Sequence, residues 1–387
     1  MSEEQTKQET QPEVKDITQE VVQTEPINVE AEKPKITVEL DEESERKYQV
    51  IRSVGSECIE DNELRALIKS KKQFIAYDGF EPSGRVHIAQ GILKAINVNK
   101  ITSSGGKFIF LVADWFALMN NKMGGDLKKI QTVGKYMVEV WKSAGMNLDN
   151  VEFVQSSDII NAKSNEYWTL VLDIARRNNL NRIKRCSQIM GREESDSLSA
   201  AQIFYPCMQC ADIFFLKADI CQLGVDQRKV NMLAREYCVL TGRKFSPIIL
   251  SHPMLAGLTG EKMSKTDPNA AIFMEDTETD VNTKIKKAYC VPGDVTKNPC
   301  LEYVKHLVME KDGKFLVERK EENGGNKLYE KYEDVEADFI SLALHPLDLK
   351  IALSKAINAM LQPVRDHFKT GQPAVLLKQV KSYRATK

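Results

Sequence analysis

A histidine at the mouth of a strand–turn–helix and a pair of lysines in a later glycine-bearing loop are residue types suited to holding a polyphosphate. The histidine lies in Tyr77-Asp78-Gly79-Phe80-Glu81-Pro82-Ser83-Gly84-Arg85-Val86-His87-Ile88-Ala89-Gln90-Gly91. The apolar run Phe74 to Ala76 leads into it, and helical spacing at Ile88, Ile92, Ala95 and Ile96 follows. Backbone N–H groups and the helix dipole converge where such a helix begins, which makes an anion site. The lysines lie in Gly260-Glu261-Lys262-Met263-Ser264-Lys265. Two ammoniums and a hydroxyl there could stabilise charge on a departing pyrophosphate.

Two further stretches carry polar groups in apolar settings. Tyr205, Gln209 and Asp212 stand at i, i+4 and i+7, on one face of a helix that is otherwise Phe, Met, Cys, Ala and Ile. A polar stripe in a helix buried all round must be paired or face a cavity, so it reads as a pocket wall. The spacing allows that helix to start at Pro206, since proline is accepted in a first turn. Gln222-Leu223-Gly224-Val225-Asp226-Gln227-Arg228-Lys229 is again strand, glycine turn and helix start. Asp226 there is either an N-cap or a ligand for a ribose hydroxyl. For the lysine loop taken alone, a solvated charge run is the plain alternative.

The elements that must position these groups alternate. Strands are expected at Phe74–Tyr77, Lys107–Ala113, Val151–Gln155, Ala218–Leu223 and Pro247–Ser251, with amphipathic helices between them, notably 126–144. That alternation means a doubly wound parallel α/β sheet with ligands at the strand C-terminal ends. After about Ala270 the pattern turns mainly helical and ends in a long helix from Pro346 to Phe368. Three regions follow: a disordered acidic extension over 1–40, a Rossmann-like domain with N-terminal helices over 41–270, and a helical domain over 271–387.

Charge and composition bound the function. Residues 1–46 hold 14 acidic against 5 basic residues, leaving 41 acidic and 49 basic for the remaining chain. A basic body with an acidic arm suits a polyanion-binding protein. No apolar run approaches a membrane span, and neither a signal nor a transit peptide opens the chain, so a cytoplasmic, membrane-free protein is expected. Of eight cysteines, Cys207 and Cys210 form one CxxC without a second pair, so no structural metal is expected.

His87-Ile88-Ala89-Gln90 followed much later by Lys262-Met263-Ser264-Lys265 resembles the paired signatures of class I aminoacyl-tRNA synthetases. Tyr77 with Glu81, Tyr205 with Gln209 and Asp212, and Gly224 with Gln227 resemble the tyrosyl branch of eukaryotes and archaea. The resemblance implies a Rossmann-like parallel-sheet catalytic domain and a mainly α-helical anticodon-binding domain. It implies activation of tyrosine by ATP, with Mg2+ accompanying the nucleotide, and transfer to tRNA by a homodimer. Tyr77, Glu81, Tyr205, Gln209, Asp212 and Gln227 would bind tyrosine, with Tyr77 and Asp212 on the phenol. Gly84, His87, Gln90, Gly224, Asp226, Lys262, Met263, Ser264 and Lys265 would hold ATP, with His87, Lys262, Ser264 and Lys265 acting in catalysis. Arg185, Arg228, Lys229, His345 and Asp348 would contact tRNA. The first signature departs from His-Ile-Gly-His at Ala89 and Gln90, and Asn323 stands where relatives often carry an aromatic. The nearest alternative is a tryptophanyl-tRNA synthetase; a non-catalytic RNA-binding protein on the same scaffold is a more distant one.

Overall fold

The computed structural model describes residues 37–192, 196–260, 263 and 270–383. The expected acidic arm and Lys262, Ser264 and Lys265 therefore lie outside the described residues, apart from 37–40, which carry no regular structure.

Six strands form the main sheet: β1 (Glu57–Ile59), β2 (Phe74–Phe80), β3 (Gly106–Val112), β4 (Val151–Gln155), β5 (Ile220–Cys221) and β6 (Ile248–Ser251), in the order β1-β6-β5-β2-β3-β4. All neighbours run parallel except β1, which pairs antiparallel with β6. From β2 the chain winds outward through β3 and β4, then returns to β2's other side as β5. The switch point therefore lies between β2 and β5, and a crevice opens beyond their C-terminal ends. Those ends carry Tyr77–Glu81 and Gly224–Gln227. A small antiparallel hairpin, β7 (Phe315–Val317) with β8 (Lys327–Tyr329), interrupts the later helices.

Local signals account for most elements. The Leu127–Ser143 helix starts at Asp126, whose carboxylate accepts from Lys129 N at 3.2 Å. Its Ile130, Val133, Tyr136, Met137, Val140 and Trp141 are all buried. The long C-terminal helix spans Pro346–His367, and Gly371–Ser382 forms one more.

Three expectations need correction. The helix bearing Tyr205 begins at Ala200, because Ser199 and Gln202 form a capping box there; Pro206 sits inside it. The sequence places the cap of the second N-terminal helix near Asp61, but the N-cap of the Asp61–Ser70 helix is Glu60 at φ 63°, and the Asp61 carboxylate instead meets Arg52 Nε at 2.9 Å and Tyr48 Oη at 3.1 Å. β5 is only two residues long, although Asp219 N donates to Ile75 O at 2.8 Å and Gln222 N to Tyr77 O at 3.0 Å on either side of it.

Candidate active site

A cavity of about 290 Å³ occupies that crevice. Its floor is built from β2 and from the buried face of the Ala200–Phe215 helix. Tyr77 and Asp212, both nearly fully buried, meet there. Tyr167 Oη donates to Asp212 Oδ1 at 2.9 Å. Asp212 Oδ2 and Tyr77 Oη are buried and have no hydrogen-bond partner among the described residues. Two orphaned polar atoms in an apolar surround each carry a cost of about 1–3 kcal/mol until a ligand meets them. A phenol hydroxyl, one donor and one acceptor, matches the pair.

Burial pushes the Asp212 carboxyl up to about 8, against the lowering pull of the Tyr167 hydroxyl. The group therefore holds its proton at neutral pH. Burial likewise raises the Tyr77 hydroxyl well above the usual phenol range, with the neighbouring Cys221 and Asp212 adding to the shift. Tyr77 stays neutral and can donate or accept.

Beside the floor, Glu81 accepts from Tyr205 Oη at 2.7 Å and from Asn120 Nδ2 at 3.0 and 3.2 Å. Its carboxylate thus holds Tyr205, whose ring also meets Phe116 edge-on at 4.9 Å. Gln209 Nε2 donates to Gln227 Oε1 at 3.0 Å, and Gln227 Nε2 donates to the Ile189 carbonyl at 3.2 Å. These bonds set a polar wall above the phenol-sized floor.

The other half of the cavity is lined by Ser83, His87, Ala89, Gln90, Gly224, Asp226 and Met263. Gly84 turns the chain at φ 134°, a conformation that side chains rarely adopt. The residues around His87 pair with a later segment: Ile88 N donates to Ile272 O at 2.8 Å and Met274 N to Val86 O at 3.0 Å. Arg85 lies over the Phe273 ring at 4.1 Å and bonds Glu275 and Asp276. From the long C-terminal helix, Arg365 Nε donates to the Asp276 carbonyl at 2.7 Å. The helix after His87 opens with a π-helical turn, Ala89–Leu93, a distortion frequent at functional sites. Gln90 Oε1 is buried there without a partner among the described residues. At Gly224 a Cβ would fall 2.5 Å from Asp226 Oδ1 and 3.1 Å from Met254 Sδ, so this wall admits only glycine without a shift. Asp226 caps nothing; the Arg228–Leu240 helix begins without a side-chain cap. Its N-cap alternative falls away, and its carboxylate lines the cavity.

The remaining expected residues lie elsewhere. Arg185 is exposed, and Arg228 is paired with Glu57 at 2.9 Å. His345 is the N-cap of the Pro346–His367 helix, its Nδ1 accepting from Leu347 N at 3.1 Å, and Asp348 sits in the first turn. Sequence reasoning missed four side chains: Asp78, Lys94 and His252, which line the cavity, and Gln222 behind them. Lys94 had left a signal, as a lone cation inside the apolar run Ile92-Leu93-Lys94-Ala95-Ile96.

The family model for class I tRNA synthetases of tryptophan and tyrosine matches residues 69–362. The chain is 62% identical over 352 residues to the cytoplasmic tyrosine–tRNA ligase 1 of Arabidopsis thaliana, covering 90% of this chain and 91% of that one. The chain belongs to the tyrosyl-tRNA synthetases. It is also 60% identical to the cytoplasmic tyrosine–tRNA ligase 2 of the same plant, covering 93% of this chain but 48% of that longer one. Among solved structures, the Leishmania major tyrosyl-tRNA synthetase in complex with tyrosinol superposes with a TM-score of 0.84 at 52% identity, covering 89% of this chain and 61% of that one. The enzyme's Rossmann-like α/β catalytic core is thus a class I synthetase core.

Proposed function

We propose that Tyr77 and Asp212 read the phenol of tyrosine and that His87, with Lys262 and Lys265, stabilises the transition state of its activation. The enzyme is an ATP-dependent aminoacyl-tRNA ligase of tyrosine. In the first step an oxygen of the tyrosine carboxylate bonds to the α-phosphorus of ATP, the bond to the bridging oxygen breaks, and pyrophosphate leaves. In the second a ribose hydroxyl at the tRNA terminus bonds to the tyrosyl carbonyl carbon and AMP leaves. The observation that carries the residue assignment is the pair of orphaned atoms, Tyr77 Oη and Asp212 Oδ2, on the floor of a cavity whose other half carries His87 and Gly224.

With Asp212 protonated, its Oδ2–H donates to the phenol oxygen while the phenol proton goes to Tyr77 Oη. Phenylalanine leaves both protein atoms unsatisfied, and an indole offers one N–H for two sites. Tyr205 Oη, donating to Glu81, keeps its lone pairs for the substrate's ammonium; Gln209 and Gln227 add acceptors. His87 Nε2 and the two lysines offer cationic or N–H donors to oxygens that gain charge as pyrophosphate departs. Gln90 stands where the signature's second histidine would, and its amide can donate to the same oxygens. Gly224 lets the nucleoside approach the backbone, and Asp226 accepts from a ribose hydroxyl. Magnesium enters with the triphosphate as part of the substrate.

The C-terminal region, residues 271–387, reads the anticodon with Asp348 accepting from a base edge beside His345, while Arg185, Arg228 and Lys229 contact the acceptor stem. A homodimer is supported by Trp168 and Leu172, one turn apart and 37% and 58% exposed on a helix whose other face is buried. The enzyme works in the cytoplasm, the compartment in the names of both Arabidopsis relatives. Tyrosine-dependent exchange of pyrophosphate into ATP tests the assignment. Tyrosine should support exchange and tryptophan should not; exchange surviving unaltered in Tyr77→Phe/Asp212→Asn would refute the phenol reading.

A further inference from the structure

Along the nucleotide half of the cavity and just behind it runs a chain of polar side chains that the two-step reaction leaves unused. Lys94, Asp78 and Gln222 are each at most 3% exposed. Lys94 Nζ lies 2.5 Å from Asp78 Oδ2, 2.7 Å from Gln222 Oε1 and 3.1 Å from the Gln222 carbonyl. Those three contacts use all three ammonium protons. Because an ammonium only donates, the Gln222 atom facing it must be oxygen, and the orientation of that amide is decided. Its nitrogen then faces His252 Nδ1 at 2.8 Å. An amide N–H donates, so Nδ1 accepts and the ring proton resides on Nε2. Burial, with the positive Lys94 nearby, holds the imidazole well below its usual range, so the ring is neutral.

The backbone of His252 is pinned as well. His252 N donates to Leu223 O at 3.0 Å, and Val225 N donates to His252 O at 3.1 Å, on either side of Gly224. His252 is therefore a fixed neutral ring in the cavity wall. Pro253, Met254, Leu255 and Met263 continue that wall. His252 and Pro253 also line a second cavity of about 130 Å³; on the side of the main cavity, one oriented N–H beside the apolar Pro253, Met254 and Leu255 fits a planar base that offers a lone pair.

We propose that His252 Nε2–H donates to an unprotonated ring nitrogen of adenine, and that Lys94 is a positioning residue that fixes this donor through Gln222. The inference rests on the reading of this half as the nucleotide site. Its test is tyrosine-dependent pyrophosphate exchange with ATP, 1-deaza-ATP, 3-deaza-ATP and 7-deaza-ATP. The wild-type enzyme should use one of the three analogues about 3- to 10-fold less well in kcat/KM than ATP, the worth of one neutral hydrogen bond. His252→Ala should raise the KM for ATP by that factor, leave tyrosine Kd in place, and no longer distinguish that analogue. Lys94→Met alone would leave the Asp78 charge buried, so Lys94→Met/Asp78→Asn is the variant to make. It should lose part of the discrimination, and 15N NMR of the histidine ring should show its Nε2 proton shared with Nδ1. Equal use of all three analogues by the wild type, or discrimination unchanged in His252→Ala, overturns the proposal. Absence of any exchange with ATP would instead overturn the nucleotide reading itself.

Discussion

Replacing Asp212 with asparagine should stabilise the fold while keeping a donor for the phenol oxygen, and the size of the first effect should depend on pH. The carboxyl has an ordinary value of 3.8 and is pushed up to about 8 by burial. Below pH 3.8 it is protonated in folded and unfolded chains alike and contributes no difference. Between about pH 4 and 8 the folded chain keeps a proton that the unfolded chain has released, so the unfolded state binds fewer protons and stability falls as pH rises. The slope is at most about 1.4 kcal/mol per pH unit, which accumulates to roughly 4 kcal/mol by pH 7. Asparagine has no proton to lose and nearly the same shape. Its Nδ2 would lie where the protonated Oδ2 lies now, an atom equally without a partner among the described residues, so the exchange adds little cost of its own. Urea unfolding of the two proteins at pH 5, 6, 7 and 8 should show Asp212→Asn gaining on the wild type by about 1 kcal/mol per unit. Over the same range tyrosine should bind the variant with similar affinity, since the asparagine Nδ2–H can donate to the phenol oxygen as the protonated carboxyl does. A stability difference that does not change with pH, or one that shrinks as pH rises, would refute the reasoning that this carboxyl is held protonated by burial.

His87→Ala should lower single-turnover adenylate formation by about 10- to 100-fold with tyrosine Kd nearly unchanged; an equal rise in Kd would make His87 a ground-state contact. Glu81→Ala removes the acceptor of Tyr205 Oη, so tyrosine affinity measured by calorimetry should drop about 10-fold, with a similar loss in Tyr205→Phe and little further loss in the double variant. Gly224→Ala introduces the 2.5 Å clash with Asp226; it should raise the KM for ATP several-fold and leave tyrosine binding intact, and a matching loss of both would place the defect in folding. Asp348→Ala should depress aminoacylation of tRNA while pyrophosphate exchange continues at the wild-type rate; parallel loss would make the residue a helix-dipole partner only.

How much could be read from the residues alone follows from the range of the interactions involved. The alternation of strand and helix is local, and so were the glycine turns at Gly84 and Gly224. The stripe Tyr205, Gln209 and Asp212 was legible because an apolar helix makes its polar exceptions conspicuous. The Lys94–Gln222 contact was not, since its two halves lie 128 residues apart and the apolar run around Lys94 shows that it is buried without showing against what. Glu81 reads as a substrate ligand in the sequence, and that it also accepts from Tyr205 depends on a partner 124 residues away. The capping box at Ser199 was a local signal overruled in the reading by Pro206. The protonation of Asp212 is a property of depth alone, which no spacing encodes.

The pairing of Val86 and Ile88 with Met274 and Ile272 bears on how the enzyme is made. A ribosome delivers the chain from its N-terminus, and domains tend to fold as they emerge. Tyr77 and Asp212, the two ends of the phenol floor, are both out well before residue 272 exists. The His87 turn must wait for its backbone partners, and Asp276 must wait longer still for Arg365. An unfinished chain can thus assemble a place for the amino acid before it has a place for the chemistry.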